Sequence, residues 1–151
     1  MITLNPILTF LNKNEKYAIV GVSRDKKKYG RMVFDSLKQK GYQVYAVNPS
    51  FSEIEGEPVF ASLKEVPKDV KRVIIVTPKS QSASIVQQAS ECGMTHVWIQ
   101  QTCDTPEALE IASQHNLQCV SKHCIFMVAE PVTGIHKFHR SMKRFFGGFP
   151  R

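Results

Sequence analysis

The stretch from Tyr17 to Gly30, YAIVGVSRDKKKYG, joins a pattern typical of a buried strand to a loop rich in hydrogen-bond donors and positive charge. Its first four residues are apolar, and such a run is typical of a strand covered on both faces of a parallel sheet. Gly21 ends the run, and apolar residues at helical spacing follow from Met32. Strand, loop and helix in this order make half of a βαβ unit. At the carboxyl end of such a strand, loop amides and a helix N-terminus can bind a phosphate.

The loop itself matches neither of the two common phosphate-binding motifs. It lacks the G-x-G-x-x-G pattern of dinucleotide-binding folds and the G-K-[ST] ending of a P-loop. Its phosphate-binding capacity would come from hydroxyl, guanidinium and ammonium groups at Ser23, Arg24 and residues 26–28. The alternative reading is that Gly21 only makes a tight turn and that the lysines form a solvated loop.

Two further predicted strands end in a small polar residue followed by proline. The strand at 42–47 ends in Asn48-Pro49, and the strand at 73–76 ends in Thr77-Pro78. The strand at 95–100 brings the amide of Gln100 to the same edge, because parallel strands end together. A dinucleotide-binding fold usually has an acidic residue at the end of its second strand, where it holds the ribose hydroxyls. Asn48 stands there instead, which argues against NAD.

The alternation of short apolar strands with helices predicts a Rossmann-like α/β fold, with a doubly wound parallel sheet between two helical layers. We predict one domain over residues 1–130, with a short helix in residues 1–16 that has Asn5 as N-cap and Pro6 at its first position. Further helices are predicted to be capped by Ser80 and by Thr105, the latter followed by proline and glutamate. A last strand is predicted at 117–120.

The final 21 residues have a different composition. Residues 131–151 contain five of the 20 basic residues and none of the 13 acidic ones, and they account for most of the net charge of +7. Apolar residues from Ile135 onward recur between the basic ones, which predicts a basic amphipathic helix. Such a helix packs on the domain or on a partner subunit, or it binds an anionic membrane surface or a nucleic acid.

The cysteines and the hydropathy exclude several classes of protein. Four cysteines without a C-x-x-C pair argue against a tetrahedral metal site, and we expect them to be reduced. No apolar run is long enough to cross a bilayer, and the first residues do not have the pattern of a signal peptide. We therefore expect a cytoplasmic protein with no metal site.

With these motifs in place, the chain resembles the small stand-alone CoA-binding proteins, which are similar to the first domain of the succinyl-CoA synthetase α subunit. The resemblance is based on the stretches AIVGVS, GYQVYAVNP, VIIVTP and VWIQ, and it extends from about Tyr17 to Cys124. The paired Val-Asn-Pro and Val-Thr-Pro strand ends are its most specific feature. The lysines at 26–28 and the Lys-His-Cys sequence before residue 125 depart from the usual pattern of these proteins.

The resemblance implies a site for CoA along the carboxyl ends of the strands. It places the phosphates near the first loop and the adenosine near the two proline-containing strand ends. A 3′-phosphate would suit the extra cations of the loop. The implied CoA-binding residues are Gly21, Val22, Ser23, Arg24, Lys28, Tyr29, Gly30, Asn48, Pro49, Thr77, Pro78 and Gln100.

These observations predict a binding module for CoA or acyl-CoA with no catalytic residues assigned, and they leave open a homodimer or an enzyme as partner. One alternative is an NADP(H)-binding oxidoreductase or redox sensor, because Arg24 and the lysines also suit a 2′-phosphate. Another is an adaptor that uses the basic C-terminal helix on nucleic acid or membrane. Because Cys124 follows the last strand, it is a candidate for a mixed disulfide with the CoA thiol.

Overall fold

A computed structural model of the chain describes residues 6–128. Within that range the chain forms one seven-stranded sheet and four α-helices. The strands are β1 (Lys16–Val20), β2 (Gln43–Val47), β3 (Glu53–Ile54), β4 (Glu57–Phe60), β5 (Arg72–Ile75), β6 (His96–Gln100) and β7 (Gln118–His123). The helices are α1 (Pro6–Thr9), α2 (Tyr29–Gln39), α3 (Lys79–Glu91) and α4 (Pro106–Gln114). Short 3₁₀ turns occur at Leu63–Glu65 and Ile125–Met127.

The strand order is β3-β4-β2-β1-β5-β6-β7, and all pairs are parallel except β3 with β4. From β1 the chain moves outward to β2 and β4 on one side, and then returns to β5 and continues to β7 on the other. The order therefore reverses between β1 and β5. In open α/β sheets the crevice at such a switch point is where ligands bind.

The sheet has a separate apolar core on each face, because successive side chains of a strand point to opposite sides. Tyr17 and Ile19 of β1 belong to the core covered by α2, whereas Ala18 and Val20 belong to the core that contains the apolar residues of α3 and α4. The predicted Rossmann-like arrangement of a sheet between two helical layers is thus confirmed. None of the described helices is long and apolar enough to cross a membrane.

The N-terminal segment is attached to the amino end of the sheet through Phe10. This side chain is 2 % exposed, and its ring lies 5.2 Å from that of Trp98. Its carbonyl oxygen accepts hydrogen bonds from the Tyr17 hydroxyl, at 2.7 Å, and from Arg72 Nη1. Helix α1 is described over Pro6–Thr9, and the predicted cap, Asn5, lies outside the described residues, so the predicted start of this helix stays a prediction.

The structure confirms one of the two predicted helix caps and contradicts the other. The Thr105 side chain accepts a hydrogen bond from the amide of Ala108 and caps α4. The prediction that Ser80 caps α3 is wrong, since the helix begins at Lys79 and Pro78 occupies the N-cap position. Pro78 has a φ of −54°, so proline already sets a helix-compatible φ before the serine is reached.

The two-residue strand β3 was not predicted. It pairs antiparallel with β4 through a turn at Glu55 and Gly56, both of which have positive φ, 48° and 84°. A strand this short lacks the periodicity on which sequence prediction depends. The strand matters for the site described below because the turn between β3 and β4 fixes the position of Glu55.

The loop after β1 is held so close to its neighbours that two positions exclude any side chain. A Cβ at Gly21, whose φ is +104°, would lie 2.0 Å from the carbonyl oxygen of Val76. A Cβ at Gly30, in the first turn of α2, would lie 2.1 Å from the carbonyl oxygen of Gly21. The two glycines therefore allow helix, loop and the neighbouring strand to meet backbone against backbone.

We predict that Gly30→Ala lowers the free energy of unfolding by at least about 2 kcal/mol, because the new methyl group collides with a backbone carbonyl. In an ordinary helix position the same change would stabilise the protein. Urea unfolding measures the effect, with Gln39→Ala on the exposed end of the same helix as control. A Gly30→Ala protein as stable as the parent would contradict the close approach.

Candidate functional site

The ends of β1, β2 and β5 meet at one edge of the sheet, as the sequence predicted. The amide of Gly21 donates to the carbonyl of Val47 at 3.1 Å, which ties the end of β1 to the end of β2. The Asn48 side chain donates from Nδ2 to the carbonyl of Val22 at 2.9 Å, and its Oδ1 accepts from the amide of Ser50. Asn48 therefore clamps the two strand ends together.

The loop between β1 and α2 is shaped by its own short polar side chains. The Ser23 hydroxyl oxygen accepts from the amide of Asp25 at 3.0 Å, and the Asp25 carboxylate accepts from the amide of Lys27 at 2.9 Å. Such bonds fix a turn without help from the sheet. They leave the side chains of Arg24 and residues 26–28 exposed.

A buried arginine, Arg31, holds this loop in place through hydrogen bonds and ion pairs. The Arg31 side chain is 2 % exposed, and Nη1 donates to the carbonyl of Arg24 at 3.0 Å. Nε pairs with Asp35 at 3.0 Å, and Nη2 lies 3.2 Å from Glu55 on the β3–β4 turn. One planar guanidinium thus joins helix, loop and hairpin, which a single ammonium could not do.

The loop cations do not all have the same surroundings. Lys26 pairs with Glu55 at 2.9 Å, and the hydrogen bond from Lys26 lowers the pKa of that carboxyl, with a further contribution from Arg31. The Arg24 guanidinium lies 4.9 Å from the centre of the Phe51 ring, beyond the end of β2. It is therefore held over the region between the β1 and β2 strand ends, where an anion would find an exposed cation.

Two helices point uncapped N-termini toward this edge. Neither Lys28 before α2 nor Pro78 before α3 supplies a side-chain cap, whereas α4 has its threonine cap. Uncapped amides at a helix start bear partial positive charge and favour anions. Pro49 and Pro78 are exposed beside them.

Thr77 lies at the switch point between β1 and β5 with its hydroxyl group unpaired. The side chain is buried, at 6 % exposure, and Oγ1 has no hydrogen-bond partner among the described residues. Its methyl carbon would lie 3.3 Å from a Cβ at Gly21, so the threonine adjoins the first loop. Burying a hydroxyl without a partner costs about 1–3 kcal/mol, which a ligand atom at this point would recover.

Cys103 lies next to this threonine. Burial raises the pKa of the Cys103 thiol, and a hydrogen bond with the backbone of Thr77 opposes that shift. The carbonyl of Cys103 accepts from the Ser82 hydroxyl at 2.6 Å. Nothing in the sequence around Cys103 distinguishes it from a cysteine that only packs against other apolar side chains.

Gln100 and Tyr29 form a polar connection between α2 and the end of β7. The Gln100 side chain is 2 % exposed, and its Nε2 donates to the Tyr29 hydroxyl at 3.0 Å. Gln100 Oε1 accepts from the amide of Ile125, and the Tyr29 hydroxyl lies 2.5 Å from Cys124 Sγ. The Gln100 amide, predicted as a ligand group, is therefore engaged within the protein.

The structure thus brings most of the predicted residues to one edge but gives them different roles. The backbone of Gly21 and the side chains of Arg24, Lys28 and Thr77 are placed where a ligand could meet them. Val22 and Gly30 are buried and shape the loop. Arg31 was missed because a basic residue in a helix is usually exposed, and sequence gives no signal for its burial.

A cavity of about 360 Å³ lies elsewhere, among residues that precede β5 and residues at and just after the C-terminal end of α3. Three lysines, one glutamate and a mainly apolar set of residues line it, and none of the predicted site residues is among them. Since parallel strands begin at the opposite edge, this cavity is remote from the strand ends described above. We do not assign the ligand site to it, because the switch point, the open helix termini and the unpaired Thr77 hydroxyl all lie at the carboxyl edge.

Comparison with known proteins gives the family. A model of the CoA binding domain matches residues 15–130, more than three-quarters of the chain. The chain belongs to the CoA-binding domain family. The matched range includes every strand of the sheet.

Relatives in the CoA-binding domain family include both long and short proteins. The chain is 31 % identical over 119 residues to the α subunit of acetate–CoA ligase (ADP-forming) II from Pyrococcus furiosus, covering 72 % of this chain but only 26 % of that subunit. It therefore spans about a quarter of that relative. It is 26 % identical to the uncharacterized protein YneT of Bacillus subtilis, covering 84 % of this chain and 93 % of YneT.

Solved structures show the same fold in short chains. A conserved hypothetical protein from Pyrococcus furiosus superposes with a TM-score of 0.71 at 32 % identity, covering 74 % of this chain and 96 % of that one. A hypothetical protein from Pyrococcus horikoshii OT3 gives a TM-score of 0.73 at 26 % identity, covering 89 % of this chain and all of that one.

Within residues 6–128 no cluster of three or more metal-ligating side chains occurs.

We predict that Arg31→Met lowers the free energy of unfolding by about 1–3 kcal/mol and exposes the loop to proteases, because Arg24, Asp35 and Glu55 lose their common donor. The partners of Arg31 are partly exposed, which keeps the loss moderate. Urea unfolding and limited proteolysis measure the two effects. Lys26→Met is the control, since it removes only an exposed pair with Glu55, which contributes little to stability because solvent screens it. Equal effects of the two changes would contradict the role given to Arg31.

Proposed function

We propose that this chain binds CoA or an acyl-CoA at the carboxyl edge of its sheet, as a cytoplasmic binding module rather than as an enzyme. The observation that carries the proposal is the buried, unpaired hydroxyl of Thr77 at the β1–β5 switch point of a chain from the CoA-binding domain family. A polar atom buried there without a partner fits a site built for a ligand.

The phosphate groups of CoA suit the loop between β1 and α2. Arg24, Lys27 and Lys28 present exposed cations there, and the uncapped start of α2 adds backbone amides. A 3′-phosphate and a diphosphate together need several donors, which this arrangement supplies without the glycine-rich motif of dinucleotide sites. Pro49 and Pro78, with φ fixed by their rings, offer rigid exposed edges near the adenosine.

The proposal is restricted to binding because the chain corresponds to only 26 % of the ligase α subunit that it resembles. The ligase activity is a property of that longer protein. The similarity to YneT over 93 % of its length provides a closer match in size.

An NADP(H)-binding protein is the principal alternative, since Arg24 and the lysines would also suit a 2′-phosphate. Against it stands Asn48, whose side chain occupies the usual place of the ribose-binding acid and is already bonded to Val22 and Ser50. The adaptor hypothesis concerns residues 131–151, which lie outside the described residues.

Thermal unfolding in the presence of CoA, acetyl-CoA, NAD⁺, NADH and NADPH separates these functions. CoA at about a hundred times its dissociation constant should stabilise the protein by about 2.7 kcal/mol, or roughly 5–10 °C in Tm. A chain cut after Val128 serves as control, because all the proposed contacts precede that residue. A clear response to NADPH with none to CoA would contradict the proposal.

Thr77→Val should affect binding and stability in opposite directions. Valine keeps the shape of threonine and removes an unpaired buried hydroxyl, so we expect the free protein to be as stable as the parent or slightly more so. We expect the affinity for CoA to fall roughly tenfold, since about 1.4 kcal/mol of hydrogen bonding is lost from the complex. Calorimetric titration and urea unfolding measure the two quantities. A variant with unchanged affinity would show that the hydroxyl does not meet the ligand.

A further inference from the structure

The polar connection at the end of β7 has a defined direction of hydrogen bonding. The amide of Ile125 can only donate, and it donates to Oε1 of Gln100 at 3.0 Å. The other end of the Gln100 amide is therefore the NH₂ group, which donates to the Tyr29 oxygen at 3.0 Å. The Tyr29 oxygen thus accepts from Gln100, and its hydroxyl proton is the donor available to a Cys124 thiolate, whose Sγ lies 2.5 Å away.

Tyr29 is held as a donor in this arrangement. Burial raises the pKa of Tyr29 far above its ordinary value, and the hydrogen bond with Cys124 raises it further. The hydroxyl group therefore stays protonated throughout the physiological range. A hydroxyl donor beside the sulfur atom can hydrogen-bond the thiolate, which is the form that attacks a disulfide.

The position of this sulfur atom connects it to the proposed CoA site. Tyr29 is the first residue of α2, directly before Gly30 and its contact with Gly21. It is 37 % exposed and contacts the sulfur of Cys124, which is itself 7 % exposed. The independent sign of a ligand at this edge is the buried, unpaired hydroxyl of Thr77, beside Gly21.

We propose that Cys124 is a thiol–disulfide exchange site for the thiol end of CoA, with Tyr29 as the residue that positions and polarises its sulfur. The inference rests on the proposed function, since it needs CoA bound at the carboxyl edge. CoA disulfide is the oxidised substrate, and Cys124 is the nucleophile. The product is a mixed disulfide between the protein and CoA.

The exchange replaces one disulfide bond by another. The Cys124 thiolate attacks one sulfur atom of CoA disulfide, the bond between the two CoA sulfurs breaks, and a bond from Cys124 to the attacked sulfur forms. The second CoA leaves as a thiolate and takes up a proton from solvent, matching the proton that Cys124 lost. A further thiol reverses the step and releases CoA.

Mass spectrometry of the intact protein after incubation with CoA disulfide tests the inference. We expect a single adduct, heavier than the protein by one CoA less two hydrogen atoms, which dithiothreitol removes. Cys124→Ser should abolish it. Cys103→Ser and Cys92→Ser should keep it, the first as the neighbouring thiol beside Thr77 and the second as a thiol lining the remote cavity. An adduct on Cys103 or Cys92 that persists in Cys124→Ser overturns the inference.

Tyr29→Phe isolates the role of the hydroxyl group. Removal of a hydrogen bond to the reacting sulfur should slow adduct formation roughly ten- to hundredfold near neutral pH and change how the rate depends on pH. A purely structural role of Tyr29 would leave that pH profile in place. An unchanged rate and profile in a folded Tyr29→Phe protein would exclude the polarising role.

Titration with CoA in the presence of dithiothreitol separates this inference from the proposed function. Reversible binding of CoA without any adduct from CoA disulfide would overturn the exchange site and leave the CoA-binding function standing. An adduct formed equally fast with glutathione disulfide, and not slowed by excess acetyl-CoA, would show an exposed thiol rather than a CoA-directed one. Preferential reaction with CoA disulfide, slowed by acetyl-CoA, supports both.

Discussion

The close approach of three backbone segments is the constraint on which this edge of the molecule depends. Gly21 meets the carbonyl of Val76, and Gly30 meets the carbonyl of Gly21, each at a distance that no side chain permits. Helix α2 can therefore begin directly over the end of β1. Its uncapped amides, the loop cations and the Thr77 hydroxyl consequently lie within one small region. A bulkier residue at either glycine would separate these groups, even if each kept its own local conformation.

The loop between β1 and α2 carries several positive charges. Acidic residues outside the loop compensate part of this charge. Lys26 is paired with Glu55, and the buried Arg31 adds a positive charge that Asp35 and Glu55 balance. The acids that do this come from α2 and from the small β3–β4 hairpin, not from the loop. Arg24, Lys27 and Lys28 thereby remain available to an anion while the loop backbone stays fixed by Arg31 and Ser23. The hairpin thus supports the candidate phosphate region without forming part of it.

Much of the fold could be predicted because its strongest signals are local. Four-residue apolar runs such as 17–20 are strands, and glycine or a polar residue before proline marks their ends. Since parallel strands end together, Asn48 and Thr77 were expected at one edge and are found there. Burial of Arg31, the strand Glu53–Ile54 and the pairing of Tyr29 with Cys124 could not be predicted. The contacts of Arg31 with Glu55 and of Tyr29 with Cys124 join segments far apart in sequence, and a buried arginine is unusual. The strand Glu53–Ile54 pairs locally but is too short to show a periodic pattern.

The structure also changes how recognition at this edge is understood. Sequence reasoning treated Asn48 and Gln100 as groups that face a ligand, because amides at strand ends are suitable donors and acceptors. Both side chains instead bond to the protein, Asn48 across β1 and β2 and Gln100 between Tyr29 and Ile125. Buried amides of this kind fix neighbouring groups in one arrangement, because leaving either end unpaired is costly. Recognition would then depend on the backbone of the first loop, its exposed cations and Thr77, while the amides determine where those groups stand. This division suits the proposed anion site of a chain without the glycine-rich motif, because the order that the motif supplies through extra glycines is supplied here by the side chains of Asn48 and Arg31.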